Sequence, residues 1–243
     1  MVWGEDSLSP AAAASALQWW ADAGVDVLVD EAPRDWLRPK QKVPPAPAAA
    51  DAEPAAAELP GQLDLFQAWL QSSETLSFAR PSAPRVCPAG DPASGLMMMA
   101  DMPSEADCGS GVLMSGDTGR LFERMLAAIG RSRETVYLAA LSCLRAPGGR
   151  FTGEAATHCS ALARHHIGLA QPKALLLFGD ACSKALLGLS VAQARGRWHQ
   201  LETHAGPVRT LVTIAPDTLL KQPVQKRFAW ADLQLLMEGM ECP

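Results

Sequence analysis

Four apolar segments of strand length, each followed by a stretch of helical period, dictate what this chain can fold into. Leu96–Ala100, Val136–Leu141, Lys173–Phe178 and Val208–Ile214 read as strands. Asp117–Ile129, Gly153–Leu169, the run from Gly179 through Leu187, and Val224–Met237 read as the helices that follow them. Apolar runs without strict alternation belong to strands covered on both faces, and strand–helix alternation places them side by side in parallel. The expectation is a three-layer α/β/α domain on a four-stranded parallel sheet. In such sheets the functional crevice opens at the carboxyl ends of the strands. Here those ends are Ala100-Asp101, Leu141-Ser142-Cys143, Phe178-Gly179 and Ile214-Ala215-Pro216.

The regular pattern accounts for residues 84–243, and what precedes it has a different composition. Residues 1–38 hold a short helix over Ala11–Ala23, entered through Ser9-Pro10, which makes an N-terminal helical segment. Residues 39–61 are dominated by Pro and Ala and read as a semi-extended linker. Residues 62–83 form a connecting unit, with an amphipathic helix over Gln62–Ser72 and a loop. Hydrophobic residues make up 48% of the chain and charged residues 19%, which suits a packed core and argues against wholesale disorder. No apolar run is long enough to span a bilayer, and the N-terminus carries no basic-then-apolar leader pattern, so the expected location is cytoplasmic.

Charge is divided along the chain. The net charge of −5 disfavours nucleic acid when taken whole. Residues 1–110, however, contain 6 Lys/Arg and 16 Asp/Glu, whereas residues 111–243 contain 15 Lys/Arg and 10 Asp/Glu. A basic C-terminal half fits contact with phosphates while the acidic half stays in solvent; scattered surface charge is the other reading. Six cysteines without an extracellular signature point to thiols or metal ligands rather than disulfides. Cys108, Cys182 and Cys242 have no recognisable spacing and read as small buried hydrophobes.

The strand ends carry a family resemblance. Asp101-Met102-Pro103-Ser104-Glu105-Ala106-Asp107, then Gly111 and Gly116-Asp117-Thr118-Gly119, resembles without a gap the first motif of the family-4 uracil-DNA glycosylases, G-E-x-P-G followed by an acidic pair and G-x-P-F-V-G-x-A-G. Val136-Tyr137 through Cys143 resembles the second strand with its cysteine. Val212-Thr213-Ile214-Ala215-Pro216-Asp217-Thr218-Leu219-Leu220 resembles T-Y-H-P-x-x-L-L, and Lys226-Arg227-Phe228-Ala229-Trp230-Ala231-Asp232-Leu233-Gln234 is similar to the final helix. Gly196-Arg197-Trp198-His199 looks like the loop before the last strand. The matches cover roughly residues 84–236 in order.

The resemblance implies a DNA partner and hydrolysis of the bond between a sugar and a damaged base, uracil in the first instance. That chemistry needs a carboxylate to orient water or steady the sugar, a donor for the anionic leaving base, and an apolar wall for the flipped base. Asp101 falls at the first-motif acid and Asp107 at the first residue of the acidic pair, so these are the candidate catalytic groups. A turn- or helix-capping role is the alternative for Asp101. Three base-pocket positions depart from the family: Met114 stands for its Phe, Ala139 for its uracil-reading Asn, and Ala215 for the histidine of the last motif. Cys87, Cys143 and Cys159 match three of the four cysteines that hold the family's iron–sulfur cluster, and the first position is Pro84. The expectation is therefore no cofactor, with a degenerate 4Fe–4S or zinc site as the alternative. Arg197, Trp198, Lys226 and Arg227 are the candidate DNA contacts, and other repair proteins are candidate partners of the N-terminal extension. Two functional readings stand: a glycosylase with altered catalytic motifs, or an inactive DNA-binding or scaffold protein on the same frame.

Overall fold

A computed structural model describes residues 59–151 and 153–241, together with Ala14, Ser15, Gln18 and Trp19. Those last four positions are helical, as the Ala11–Ala23 helix requires. The rest of that helix, and the Pro/Ala linker up to residue 58, lie outside the described residues. Residues Ala56–Pro243 form one compact unit, distinct from Met1–Ala55.

The element order within the larger unit is α1 (Leu63–Ser72), β1 (Ala89–Gly90), β2 (Leu96–Ala100), α2 (Glu105–Ser110), α3 (Gly116–Ala128), β3 (Tyr137–Ala140), α4 (Gly153–Ala170), β4 (Ala174–Phe178), α5 (Gly179–Leu187), α6 (Val191–Ala194), β5 (His199–Thr203), β6 (Gly206–Thr213), α7 (Pro216–Lys221) and α8 (Lys226–Glu241). The strands form one sheet in the order β1-β3-β2-β4-β6-β5. The four central strands are parallel, as expected, with Met98 opposite Leu138 and Leu176, and Leu176 opposite Leu211. The sheet nevertheless has six strands. β1 adds an antiparallel edge through Ala89 and Gly90, and β5 folds back on β6 to make the other antiparallel edge. Both escape a hydrophobic scan for physical reasons: β1 is two residues long, and β5 buries only Leu201 along its length. His199 therefore starts a strand rather than ending a loop.

The central strands are buried on both faces, and residue parity decides which layer each side chain joins. Leu96, Met98, Leu138, Leu176, Phe178 and Leu211 pack against Phe122 and Leu126 of α3 and Leu233 and Leu236 of α8. Met97, Met99, Tyr137, Ala139, Leu175, Leu177 and Val212 pack against Cys159, Ala163 and Ile167 of α4 and Cys182 and Leu186 of α5. Helix α1 docks on this unit. Gln67 Nε2 donates to Tyr137 Oη at 2.7 Å, and Tyr137 Oη lies 2.7 Å from His166 Nε2. Desolvation pushes the Tyr137 phenol up to about 12 and the His166 imidazole down to about 3. Both groups are thus neutral, and the phenol, already accepting from Gln67, donates to the imidazole. Arg85 fixes the end of α1 by donating to Leu70 O at 2.9 Å and Ser73 O at 2.7 Å.

Helix α8 is held at the carboxyl end of β6 by Asp232, which is fully buried. Its carboxylate accepts from Thr213 Oγ1 at 3.0 Å, from Arg195 Nε at 3.2 Å and from Arg195 Nη2 at 3.1 Å. Asp232→Ala strands the Arg195 guanidinium and the Thr213 hydroxyl. The expected cost is about 3 kcal/mol, the usual result of removing one partner of a buried pair. Urea denaturation of the two proteins checks it: a midpoint shift with unchanged slope is expected, and equal midpoints would refute the anchoring role.

Candidate functional site

The carboxyl ends of β2, β4 and β6 open into a cleft of about 520 Å³. Its floor is made by the residues that terminate these strands or follow directly: Ala100 and Asp101 from β2, Phe178 from β4, and Ala215 beyond β6. Asp101 is solvent-exposed at the residue level yet set among protein atoms, and the two facts together describe a carboxylate facing water in a concavity. Its Oδ1 accepts from Met102 N at 2.8 Å. Among the described residues its side chain has no ion-pair partner, and Oδ2 takes no hydrogen bond. Desolvation pushes the carboxyl up from the ordinary 3.8, and Asp217 adds to the rise; the Met102 N–H and the Arg145 guanidinium oppose it. Below it, burial and the Asp101 charge hold the Cys182 thiol well above its usual range, and its Sγ rests 3.6 Å from Met99 O.

Asp107 lines the same cleft and has the opposite electrostatic character. It is 4% exposed. Oδ2 accepts from Ser104 N at 3.0 Å, which with the Ser104 Oγ contact to Asp107 N forms the capping box of α2. Oδ1 accepts from Ser115 N at 2.6 Å and Ser115 Oγ at 2.7 Å. Desolvation alone would raise this carboxyl, but the hydrogen bonds from Ser104 and Ser115 outweigh it and hold it below 3.8. Both oxygens accept hydrogen bonds from the fold, and through them Asp107, a candidate catalytic acid from the sequence, ties the start of α2 to the start of α3.

That tie fixes Met114, which lines the cleft as the motif match implies. Met114 adopts φ 53°, a left-handed conformation that costs a branched or long side chain about 1 kcal/mol. Arg133 compensates by donating to Leu113 O at 2.9 Å and Met114 O at 2.5 Å while lying over the Phe122 ring, 5.2 Å from its centroid. Gly119 completes the support, because a Cβ there would fall 2.3 Å from Met114 O. On the far wall, Gly179 has φ +83° and a Cβ there would stand 3.2 Å from the Ala215 methyl. Phe178 is held edge-on to Phe122, centroids 5.8 Å apart. Asp217 and Lys221 rise from α7 as an exposed pair at 3.3 Å, and Arg145 reaches Pro103 O at 3.0 Å and Glu105 at 3.6 Å.

The remaining predicted residues fall elsewhere. Ala139 is fully buried in the layer against α4 and α5 and is not part of the cleft wall. Its parity on β3 turns its methyl into that layer. Trp198, a candidate DNA contact, is partly buried: it packs on the core layer of α3 and α8, with Arg209 stacked 4.5 Å from its ring and Gly239 leaving it room. Arg197, Lys226 and Arg227 are exposed; Arg197 donates to Gln193 O at 3.1 Å and Arg227 lies over the Phe228 ring. Sequence reading overlooked Phe178 as a cleft wall and Arg133 as its support, although the Phe178-Gly179 strand end was a signal for the first.

Cys87, Cys143 and Cys159 do come together. Val86 N donates to Cys143 O at 2.9 Å and Arg85 bridges Leu144, which brings the segment before Cys87 beside Cys143. Burial first, then Cys87 and Cys159, pushes the Cys143 thiol up to about 12. The donor set does not fit an iron–sulfur cluster. Pro84 offers no thiolate; Cys143 Sγ faces Leu70 O at 3.8 Å; burial raises the Cys159 thiol against the opposing effect of Ser77 and Ser142; and the cavity lined by Cys143 and Cys159, with Phe66, Leu70 and Leu76, is about 20 Å³. Among the described residues no group of three or more His, Cys, Asp or Glu is arranged to hold a metal ion.

The two acids predict opposite stability effects. Asp107 has a lowered carboxyl, so its stabilisation is present at neutral pH and is lost as pH falls through its folded value. Asp101 has a raised one, so its ionised form opposes folding above that value. Asp107→Ala is expected to destabilise by about 2 kcal/mol at pH 7, from hydrogen bonds to a charged acceptor, whereas Asp101→Asn should raise Tm. Thermal melts of both variants check this, and a fall in Tm for Asp101→Asn would contradict the assignment of a free acid.

The geometry has a counterpart among known proteins. The uracil DNA glycosylase superfamily model matches residues 87–234, which takes in the sheet, the Asp101 loop, the Ala215 turn and most of α8. The cleft at the strand ends is thus set in a shared frame, and this chain belongs to the uracil DNA glycosylase superfamily.

Proposed function

We propose that the protein binds DNA and hydrolyses the N-glycosidic bond of a damaged base, with Asp101 orienting the attacking water. The observation that carries this reading is the free Oδ2 of Asp101 at the floor of a 520 Å³ cleft walled by Phe178 and Met114. A flipped base needs an apolar wall to replace its stacking partners. Phe178 offers a ring, and Met114 offers a polarisable thioether that makes favourable aromatic contacts. The carboxylate then faces the sugar side, where water must be held and positive charge develops in the oxocarbenium-like transition state. No step in this scheme uses a metal or cofactor.

Phosphate contact falls to exposed cations. Arg197, Lys226 and Arg227 stand on the α6–β5 turn and on α8, and Arg120 and Arg124 on α3, of which α3 borders the cleft through Thr118. The acidic N-terminal extension, which would be repelled by DNA, is assigned to contacts with other repair proteins, and the site of action to the cytoplasm. A second reading is favoured by the Ala215 methyl and the committed Asp107: an inactive DNA-binding protein on the same frame. Both readings require binding to single-stranded DNA that weakens linearly in log–log plots against salt, and Lys226→Ala with Arg227→Ala should flatten the slope by about 1.4.

Alkaline cleavage of single-stranded oligonucleotides carrying uracil or another damaged base, with protein in excess, separates the two. Wild type should generate abasic sites, and Asp101→Ala should slow this by about two orders of magnitude or more. No cleavage of any base leaves the binding reading. The rate should fall as pH drops through the raised Asp101 value, because only the ionised carboxylate can accept the proton of the attacking water. The groups facing that carboxylate are Asp217, Arg145, the Met102 N–H and the Cys182 thiol. Asp217→Asn removes a charge that raises it, so the acid limb should move to lower pH; an unmoved limb would assign the titration to another group.

A further inference from the structure

We infer that the cleft is built for a cationic nucleobase, an N3- or N7-alkylated purine, rather than for uracil. The inference rests on the glycosidic reading above and specifies its substrate. Uracil must leave as an anion, and its enzyme must place a donor where charge develops on the base; loss of one such donor costs about two to three orders of magnitude in rate. The strand-end residues that floor this cleft, Ala100, Asp101, Phe178 and Ala215, carry no side-chain donor at all. The fourth strand end brings none either: β3 ends at Ala140, and the Ser142 hydroxyl beyond it donates to Leu144 O at 2.9 Å and is not on the cleft lining.

What the cleft does present is negative charge. Asp101 has an open oxygen and no cation partner among the described residues, and Asp217 stands close enough to oppose its ionisation. The two cations on the lining are already engaged. Lys221 pairs with Asp217 at 3.3 Å, and Arg145 donates to Pro103 O and faces Glu105. Both pairs are at least partly solvent-exposed, so neither holds its partner strongly, and Arg145 only partly offsets the burial and the Asp217 charge that act on Asp101. An anionic leaving group at the floor would be generated beside the Asp101 and Asp217 carboxylates and the Ala215 methyl, with only the Ser104 and Thr118 hydroxyls and the already paired Arg145 and Lys221 as side-chain donors elsewhere on the lining. A base that arrives positively charged meets the reverse: attraction to Asp101 and Asp217, and an aromatic ring at Phe178, which also attracts cations.

The chemistry closes without the missing histidine. In an N7-alkylated guanine or N3-alkylated adenine, cleavage of the bond between C1′ and the purine nitrogen sends its electron pair into the ring. That pair cancels the positive charge, and the base departs neutral. Water forms the new bond to C1′, its proton passes to the Asp101 carboxylate, and from there to solvent. The products are an abasic site and a neutral alkylpurine, with no oxyanion to stabilise and no acid needed to protonate the leaving group. A cation bound beside Asp101 would oppose the rise in its carboxyl and favour the ionised form that accepts the proton.

The test is release of bases from DNA methylated with dimethyl sulfate, identified by chromatography, beside release of uracil from a matched uracil-containing DNA. The full chain is used as wild type, Asp101→Asn, Asp217→Asn and Ala215→His. The expected result is release of N3-methyladenine or N7-methylguanine at least about tenfold faster than uracil, lost in Asp101→Asn and reduced about tenfold in Asp217→Asn. Ala215→His, which restores a donor beside the Gly179 gap, should reverse the preference toward uracil. Uracil release without alkylpurine release overturns this inference and leaves the glycosidic reading standing. Release of neither base, by a protein with a native melting transition, overturns both. An Asp217→Asn variant that releases alkylpurines at the wild-type rate would remove Asp217 from the recognition of charge.

Discussion

The carboxylate of Asp107 receives three hydrogen bonds from Ser104 and Ser115, and the shape of the cleft follows from that arrangement. One end of the contact closes the capping box of α2; the other pulls the first residue before α3 onto it. Between these anchors the chain has only a short path, and Met114 is driven into the left-handed region along it. Arg133 and Gly119 then hold the strained carbonyls, one by donating to them and the other by leaving room. The wall that a base would meet is thus set by a residue that touches no substrate. A carboxylate in such a place contributes through rigidity, which is what a site that must hold a flipped base against water requires.

Asp101 and Asp107 lie six positions apart in sequence and line one cleft, yet their environments push them in opposite directions. Desolvation acts on both. At Asp107 it is outweighed by donors; at Asp101 the backbone N–H groups of Met102 and Asp101 and the Arg145 charge do not overcome burial and the charge of Asp217. Separation of this kind is how one site distinguishes a group that must stay ionised and fixed from one that must exchange a proton. It also sets the two retained acids apart: Asp107 has hydrogen bonds to both oxygens, Asp101 to Oδ1 from Met102 N. The number of carboxylates at motif positions says less than the number with an oxygen left open.

The parallel sheet and its carboxyl-end crevice were legible because they rest on long apolar runs, and burial on both faces leaves such runs no other stable partner. Asp101 was legible for the same reason: it directly follows the run Leu96–Ala100. The edges were not, since a two-residue β1 and a β5 with one buried residue are held by backbone pairing, to which side-chain pattern is blind. Ala139 shows a further limit. Its position was aligned to the strand end, but which face it occupies depends on a parity that shifts with a one-residue slip. Trp198 was ambiguous on composition, and only the placement of Arg209 and Gly239 around its ring assigns it to the core. Asp107 is the most instructive case: Ser-x-x-Asp ahead of a helix is itself a capping signal, and it stood in the same residues that suggested catalysis.

The region of the three cysteines joins the connecting helix to the rest of the unit. The thiols remain neighbours, but the contacts that hold the place together come from elsewhere: Phe66 and Leu70 of α1 and Leu76 beyond it pack with Cys143, Leu144 and Leu162. Arg85, Gln67 and the Tyr137–His166 pair close the same joint with hydrogen bonds. Removing a polar partner there would leave a buried phenol or imidazole unsatisfied, which costs more than the bond contributes. The joint is also continuous with the cleft, since the strand end Leu141-Ser142-Cys143 runs from one to the other and Leu141 N and Ser142 N donate to Ala100 O and Asp101 O at 2.8 and 3.1 Å. The backbone that carries Asp101 is therefore steadied from the side of α1, by apolar packing and neutral hydrogen bonds. A segment outside the family match at 87–234 has in this way become part of what holds the site in shape.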